Sequence, residues 1–187
     1  LGAQTMTAAS DVDLMVIYDA AEDARASGAA ALAAVTYFGR LVRRYVSAVT
    51  TPTEEGALYA VDMQLRPSGS KGPVAVSFSA FSKYYEDEAW TWELLALTKA
   101  RFIAGDPALG KKIKDQIKEI AARPRDRRKF AADVDEMRER MLAAKPAVSP
   151  WDLKNARGGF VEIDFTVQYL LLTHLAGGEW IGGCETA

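Results

Sequence analysis

Three aspartates carry the strongest chemical signal in this sequence. Asp11 and Asp13 stand two apart in Ser10-Asp11-Val12-Asp13-Leu14, where the apolar run Val12 to Tyr18 (VDLMVIY) begins. Side chains alternate along a strand, so both carboxylates emerge on one face. Anions held that close repel each other, and the apolar residues beyond make burying them costly. Asp62 lies inside a second apolar run, Leu58 to Leu65 (LYAVDMQL), between Val61 and Met63. If the two runs are neighbouring strands, its carboxylate joins the pair. A divalent cation relieves the repulsion, and hard oxygen ligands suit Mg²⁺ or Mn²⁺ rather than zinc. Three carboxylates on two strands can hold two ions roughly 3.5–4 Å apart. One ion would acidify an attacking hydroxyl, and the other would clamp the phosphates of a nucleotide and its leaving pyrophosphate. A plainer reading stands beside this one: Asp-x-Asp pairs are common in loops, and Asp62 can serve as a charge partner for Arg66.

The elements that must position these residues follow from the apolar pattern. Val12 to Tyr18 reads as a buried strand. From Ala29 to Val49, Leu32, Val35, Phe38, Leu41, Val42, Tyr45 and Val49 recur at helical spacing, with Arg40, Arg43 and Arg44 pointing elsewhere. That is an amphipathic helix packed on a sheet. Thr50 to Gly56 is turn-rich. Leu58 to Leu65 is the second strand, Arg66 to Pro73 (RPSGSKGP) a Gly/Pro loop, and Val74 to Phe78 a third strand. Beyond residue 80 the pattern is helical only: Ser82 to Ala104, Leu109 to Ala122, Arg125 to Ala144, then a hinge from Lys145 to Pro150. A break at Gly158-Gly159 precedes a last helix ending near Leu175. Strands followed by helices define an α+β chain, a small mixed sheet with helices over residues 1–80 and an all-helical bundle over 81–187.

Composition narrows the setting. The 187 residues are 49% hydrophobic and carry a net charge of −2, so nothing suggests a protein built to hold a nucleic-acid backbone. The one cysteine, Cys184, excludes an internal disulfide and fits a reducing cytoplasm. No apolar run approaches the ~20 residues that span a bilayer. The start, Leu1-Gly2-Ala3-Gln4, lacks the basic end and apolar stretch of a signal peptide. Opening without a methionine and running quickly into a strand, the chain reads as a fragment of something longer, expected in the cytoplasm.

Other residues have structural explanations at hand. Arg66, just before Pro67, can touch phosphate or lock its loop. Ser68 to Gly72 (SGSKG) lacks the spacing of a P-loop. Trp90 and Trp92 cannot share a helix face, and core packing is expected for both. Lys99 or Arg101 can reach a nucleotide from the helical part. Glu162 and Asp164 follow Gly158-Gly159, where acids favour a helix start. His174 is expected to be structural, and the basic run Arg123 to Lys129 is expected to be a solvated face.

Taken together, these residues resemble a known family. Thr7 to Leu14 (TAASDVDL) followed by Val61 to Gly69 (VDMQLRPSG) is similar to glutamine synthetase adenylyltransferase, a group within the DNA polymerase β-like nucleotidyltransferases. The resemblance continues through Glu88 to Glu93 (EAWTWE), Lys99 to Arg101, Ala104 to Pro107, Asp133 to Arg138, Asp152 to Lys154 and Gly158 to Phe165. It covers nearly the whole chain.

The resemblance implies metal-dependent transfer of AMP from ATP to a tyrosine of glutamine synthetase, regulating nitrogen assimilation. Asp11 and Asp13 match the family's paired metal ligands for Mg²⁺ or Mn²⁺. Asp62 matches its third carboxylate and is the nearest acceptor for the tyrosine proton. Gly2 and Ser10 fall at the glycine-rich turn and just before the aspartate pair, where backbone N–H groups face the triphosphate. Arg66 keeps one of two positive charges of the pattern, since Gln64 stands where the family usually has Arg. A PII-type signal protein and glutamine are the expected regulators; no nucleic acid or membrane is expected. The family enzyme has two related halves, one adding AMP and one removing it by phosphorolysis. The EAWTWE segment looks like the adding half. A strand and a Gly-Lys pair that precede the matching region in the family are absent. Two alternatives stay open: the removing half, or a fragment that only binds a partner.

Overall fold

In the computed structural model, which describes residues 11–20, 32–56, 59–149 and 151–174, the run from Val12 to Tyr18 forms two short strands rather than one. These are β1 (Val12–Asp13) and β2 (Val16–Tyr18). The split follows from a change of partner. β1 pairs in parallel with β3 (Val61–Asp62), and β2 pairs in parallel with β4 (Ala75–Ser77). Between β3 and β4 the chain leaves the sheet through the Gly/Pro loop, so the first run loses its neighbour at Leu14–Met15. Two parallel pairs therefore stand where one mixed sheet was expected. Within the longer expected strand Leu58 to Leu65, only Val61–Asp62 is in strand conformation among the described residues.

Parallel strands need a crossover, which α1 (Ala34–Thr50) supplies, packing on β3 and β4. Val42 is buried, Phe38 and Val46 are half-buried, and the Phe38 ring stacks on Tyr18 at 4.4 Å. The buried stripe is narrower than the apolar pattern suggested, because Val35, Leu41 and Tyr45 lie about half exposed.

The next helix starts earlier than expected and ends sooner. α2 (Phe78–Asp87) follows β4 directly, with Ser77 Oγ accepting the Ala80 N–H at 3.2 Å. The single helix expected from Ser82 to Ala104 is broken at Trp90, whose backbone is extended, and α3 (Thr91–Leu97) begins there. Glu93, buried, reaches back to accept the Trp90 N–H at 2.9 Å, one half of a capping box. Neither Trp90 (68% exposed) nor Trp92 (38%) is a core residue, contrary to expectation. Asp106 starts α4 (Pro107–Ala122) by accepting the Ala108 N–H, with Pro107 in the first helical position, where its missing N–H costs nothing. α5 (Arg127–Ala144) and α6 (Phe160–His174) complete the six helices among the described residues.

The chain divides into two compact units, Leu1–Glu88 with Ile103–Ile113, and Ala89–Phe102 with Lys114–Ala187. A boundary at residue 80 would cut α2; the units instead divide after Glu88, and α4 begins in one and ends in the other. The second unit is built on Leu95, Ala121, Phe130 and Leu172, with Val134, Phe165 and Tyr169 against them. Its basic run is not merely solvated. Arg125 donates from Nη1 to the carbonyls of Ala121, Arg123 and Leu172 and from Nη2 to that of Ile120; Arg127 donates to that of Thr173. Two arginines thus satisfy carbonyls at the ends of α4 and α6 that no helical N–H can reach. No helix of the described residues is long and apolar enough to cross a membrane.

Candidate active site

The parallel register sets Asp13 opposite Asp62. The backbone fixes this alignment: the N–H groups of Val12 and Leu14 donate to the carbonyls of Ala60 and Asp62, each at 2.8 Å. Val12 is buried and Asp13 exposed, so the pleat turns the aspartate away from the core. Register partners on neighbouring strands lie roughly 4.7–4.9 Å apart along the backbone. Two carboxylates are therefore side by side.

The electrostatics reflect that crowding. Desolvation raises the Asp13 carboxyl above its ordinary value, and the negative charges of Asp62 and Asp11 raise it further. Asp62 is half-buried, and its Oδ1 accepts the backbone N–H of Gln64 at 2.7 Å, which fixes the carboxylate on a turn of its own chain. Its other oxygen is left for a cation or a proton. Asp11 is exposed and lies just before β1.

In donor chemistry this trio fits a hard divalent ion: all oxygen, all anionic, with Asp13 under repulsion that a cation would relieve. In geometry the fit is partial. Among the described residues no three acidic, histidine or cysteine side chains close on a common point able to hold a metal. Only Asp13 and Asp62 are brought into register.

Arg66 is buried and donates from Nη1 to the Met63 carbonyl, while its Nε has no hydrogen-bond partner. No ion pair joins it to Asp62 among the described residues. The arginine thus holds the loop that follows Asp62. That loop is tight: Ser68 and Gly69 have positive φ (62° and 51°), and a Cβ on Gly72 would fall 2.2 Å from the Pro67 carbonyl oxygen. Gly2 and Ser10 lie outside the described residues.

Residues singled out in the helical part have local partners. Lys99 pairs with Asp164 at 2.7 Å, and Glu162 accepts the Gly158 N–H at 2.9 Å, the capping role its position suggested. His174 Nδ1 lies 3.0 Å from the Thr173 hydroxyl, a local contact in keeping with a structural residue. Three arrangements escaped sequence reasoning. Glu93 had a signal, its spacing of three from Trp90. Arg125 had one too, in its place just past a helix end. The Lys112–Asp19 pair at 2.7 Å, which raises the lysine pKa through its hydrogen bond and charge, joins residues 93 apart and left none.

A small α+β unit with two strand-borne carboxylates in register is the class of protein these features define. The family model described as glutamate-ammonia ligase adenylyltransferase matches residues 1–116, and the chain belongs to that family. Among curated relatives named bifunctional glutamine synthetase adenylyltransferase/adenylyl-removing enzyme, that of Brucella suis is 50% identical over 92% of this chain and 18% of its own length. The Xanthobacter autotrophicus protein of the same name is 47% identical over 100% of this chain and 19% of its own. A third, from Rhodopseudomonas palustris (strain TIE-1), is 50% identical over 93% and 18%. The chain spans less than a fifth of the length of these relatives.

Proposed function

We propose that this chain forms part of the site that transfers AMP from ATP to a tyrosine hydroxyl of glutamine synthetase, on a polymerase β-like nucleotidyltransferase domain followed by a helical one. The observation that carries this reading is the register of Asp13 with Asp62, in a chain of the adenylyltransferase family. Asp11, Asp13 and Asp62 would hold Mg²⁺ or Mn²⁺. When bound, the ion neutralises phosphate charge and makes the attacking hydroxyl more acidic.

The chain's own residues do the rest. Asp62, held through Oδ1, takes the tyrosine proton on its free oxygen as the tyrosine oxygen bonds to the α-phosphorus. The bond from that phosphorus to the β-phosphate bridge breaks, and pyrophosphate leaves. Arg66 acts through the loop it anchors, setting where Ser68 to Gly72 stands against the nucleotide. Gly2 and Ser10 are assigned to triphosphate binding on the family resemblance of their positions alone. Glutamine and a PII-type protein act as regulators of the longer polypeptide, in the cytoplasm.

A second reading is favoured by the relatives' names, which carry an adenylyl-removing activity as well. The EAWTWE segment, Glu88 to Glu93, supports the adding direction. One experiment separates them: the intact mass of glutamine synthetase subunits incubated with the full-length polypeptide containing this chain. AMP added with Mg²⁺ and ATP, and not added by Asp62→Asn, supports transfer. AMP lost from modified synthetase when orthophosphate is supplied, again dependent on Asp62, assigns the chain to removal. No change in either direction leaves a chain that only binds a partner.

A further inference from the structure

The last helix is apolar on two opposite sides. In α6 (Phe160–His174) one side carries Phe165, Tyr169 and Leu172, which close on the core of the helical unit, the Tyr169 ring stacking on Phe130 at 5.9 Å. The other side carries Phe160, Ile163, Val167 and Leu170, which are 61%, 53%, 49% and 45% exposed. A helix at a protein surface has one apolar stripe and turns polar residues to water; a helix apolar all round belongs to an interior. We propose that a second helix, supplied by the part of the full-length polypeptide outside this chain, packs along the outer stripe and makes α6 an interior helix. The inference concerns the helical unit alone and holds whichever way AMP moves.

The spacing of the stripe defines its occupant. Phe160, Ile163, Val167 and Leu170 step by three, four and three residues. That is the repeat of a helix–helix seam, where each side chain enters a hole between side chains of a neighbour lying nearly alongside. No charge interrupts the stripe. Glu162 turns back to the Gly158 N–H, and Asp164, at the margin, is paired with Lys99. The exposed side of α5 is built otherwise, with Arg140 paired to Glu136 and Arg138 to Asp135. At the start of α6 the Leu153 carbonyl accepts the Phe160 N–H at 2.9 Å, which brings Leu153, 60% exposed, to the end of the same stripe. A small-molecule site is concave and has converging polar groups; a convex stripe of four apolar side chains has neither.

The source of that helix follows from length. This chain makes up 18% of the Brucella suis relative and 19% of the Xanthobacter autotrophicus one, so most of such a polypeptide is available to supply it. A helix within the same polypeptide meets the stripe at high effective concentration. It also avoids the loss of translational and rotational freedom that opposes binding of a separate molecule. A partner that came and went would leave the stripe in water between encounters, where contiguous apolar surface promotes aggregation. A permanent internal contact has no such interval, and with no charge in the stripe its burial leaves nothing ionised to desolvate.

The test is hydroxyl-radical footprinting of the full-length polypeptide, purified without other proteins and diluted until light scattering shows single molecules. Labelling of Phe160, Ile163 and Leu170 is read by mass spectrometry against the same polypeptide unfolded in denaturant. The expected result is protection at all three within about two-fold of that of buried Leu172. Weaker protection overturns the proposal, and protection confined to a dimeric fraction overturns it in favour of a second copy. Photo-leucine incorporated throughout then links Leu170 to its neighbour. The linked peptide is expected outside residues 1–187, and a link only within them overturns the source given to the helix. Val167→Lys should raise labelling of Ile163 and Leu170 several-fold, since an ammonium cannot stay in an apolar seam, while Val167→Ile should not. Unchanged labelling in Val167→Lys also overturns the proposal. The footprint of the unsubstituted polypeptide needs no variant to fold, and none of these readouts involves AMP transfer, so they stand or fall apart from the activity.

Discussion

Asp13 and Asp62 are direct register partners on neighbouring parallel strands, with the Asp62 carboxylate anchored at 2.7 Å by the N–H of Gln64. Two anions are placed abreast by backbone hydrogen bonds that take no account of their charge. The fold imposes the repulsion, and something else must relieve it. That division between backbone geometry and side-chain chemistry makes the pair separable by mutation.

Asp62→Asn keeps the side-chain oxygen that the Gln64 N–H requires and removes both the charge and the proton acceptor. Transfer by the full-length polypeptide is expected to fall by roughly 10³-fold or more, as for loss of a general base together with a metal ligand. The melting temperature should hold. Survival of transfer within about ten-fold of the unsubstituted protein would rule out the role given to Asp62.

Asp13 ties stability to pH in a direction that follows from its raised carboxyl pKa. Folding disfavours the ionised form. The penalty is absent below the ordinary aspartate range, grows as pH climbs toward the folded-state value, and is complete above it. Without divalent ions, Asp13→Asn should therefore melt higher at neutral pH, by about 1–3 °C given solvent screening of an exposed group. The gain should vanish near about pH 3, where both states are protonated. Thermal melts in a chelator at the two pH values check this. Equal melting temperatures at neutral pH would remove the claim that Asp13 is under strain.

The spacing of Asp11, Asp13 and Asp62 was legible in the sequence because strand alternation is a local rule, and the register then aligned two of the three. What could not be read locally was pairing. Nothing in Val12 to Tyr18 says that the partner changes at Leu14, because that depends on where β3 leaves the sheet fifty residues later. The break at Trp90 was missed for the opposite reason. Helical periodicity ran through it unbroken, while the determinant was one capping contact from Glu93. Arg125 was read from its charge, whereas its position beside two helix ends mattered more. Tyr45 and Leu41 were counted as core because they fit the helical period; α1 in fact packs through a narrower stripe, leaving them outside.

Gly72 allows the loop after Asp62 to close. A Cβ there would meet the Pro67 carbonyl oxygen at 2.2 Å and the Ser68 Cβ at 3.2 Å, and the first is backbone that cannot swing aside. Gly72→Ala should cost about 1–3 kcal/mol by overpacking. It should also raise KM for ATP, because the loop held by Arg66 must open. A variant of unchanged stability and unchanged KM would mean the loop reshapes freely.

Arg125 tests how the helical unit is held together. Its guanidinium serves four carbonyls, those of Ile120, Ala121, Arg123 and Leu172, and lies over the Phe130 ring at 5.8 Å. Burial lowers its pKa, with the nearby charge of Arg123 adding to the effect. The group is thus partly desolvated and depends on those acceptors. Lysine keeps the charge but offers three donors at one point, so it cannot span carbonyls from two helices. Arg125→Lys is expected to lose about 2–3 kcal/mol, the worth of one or two hydrogen bonds to a charged group. Chemical denaturation, with hydrogen exchange following the last turns of α4 and α6, measures this. Faster exchange confined to those turns is the expected signature, and a uniform loss across the chain would show that Arg125 supports the unit in some other way.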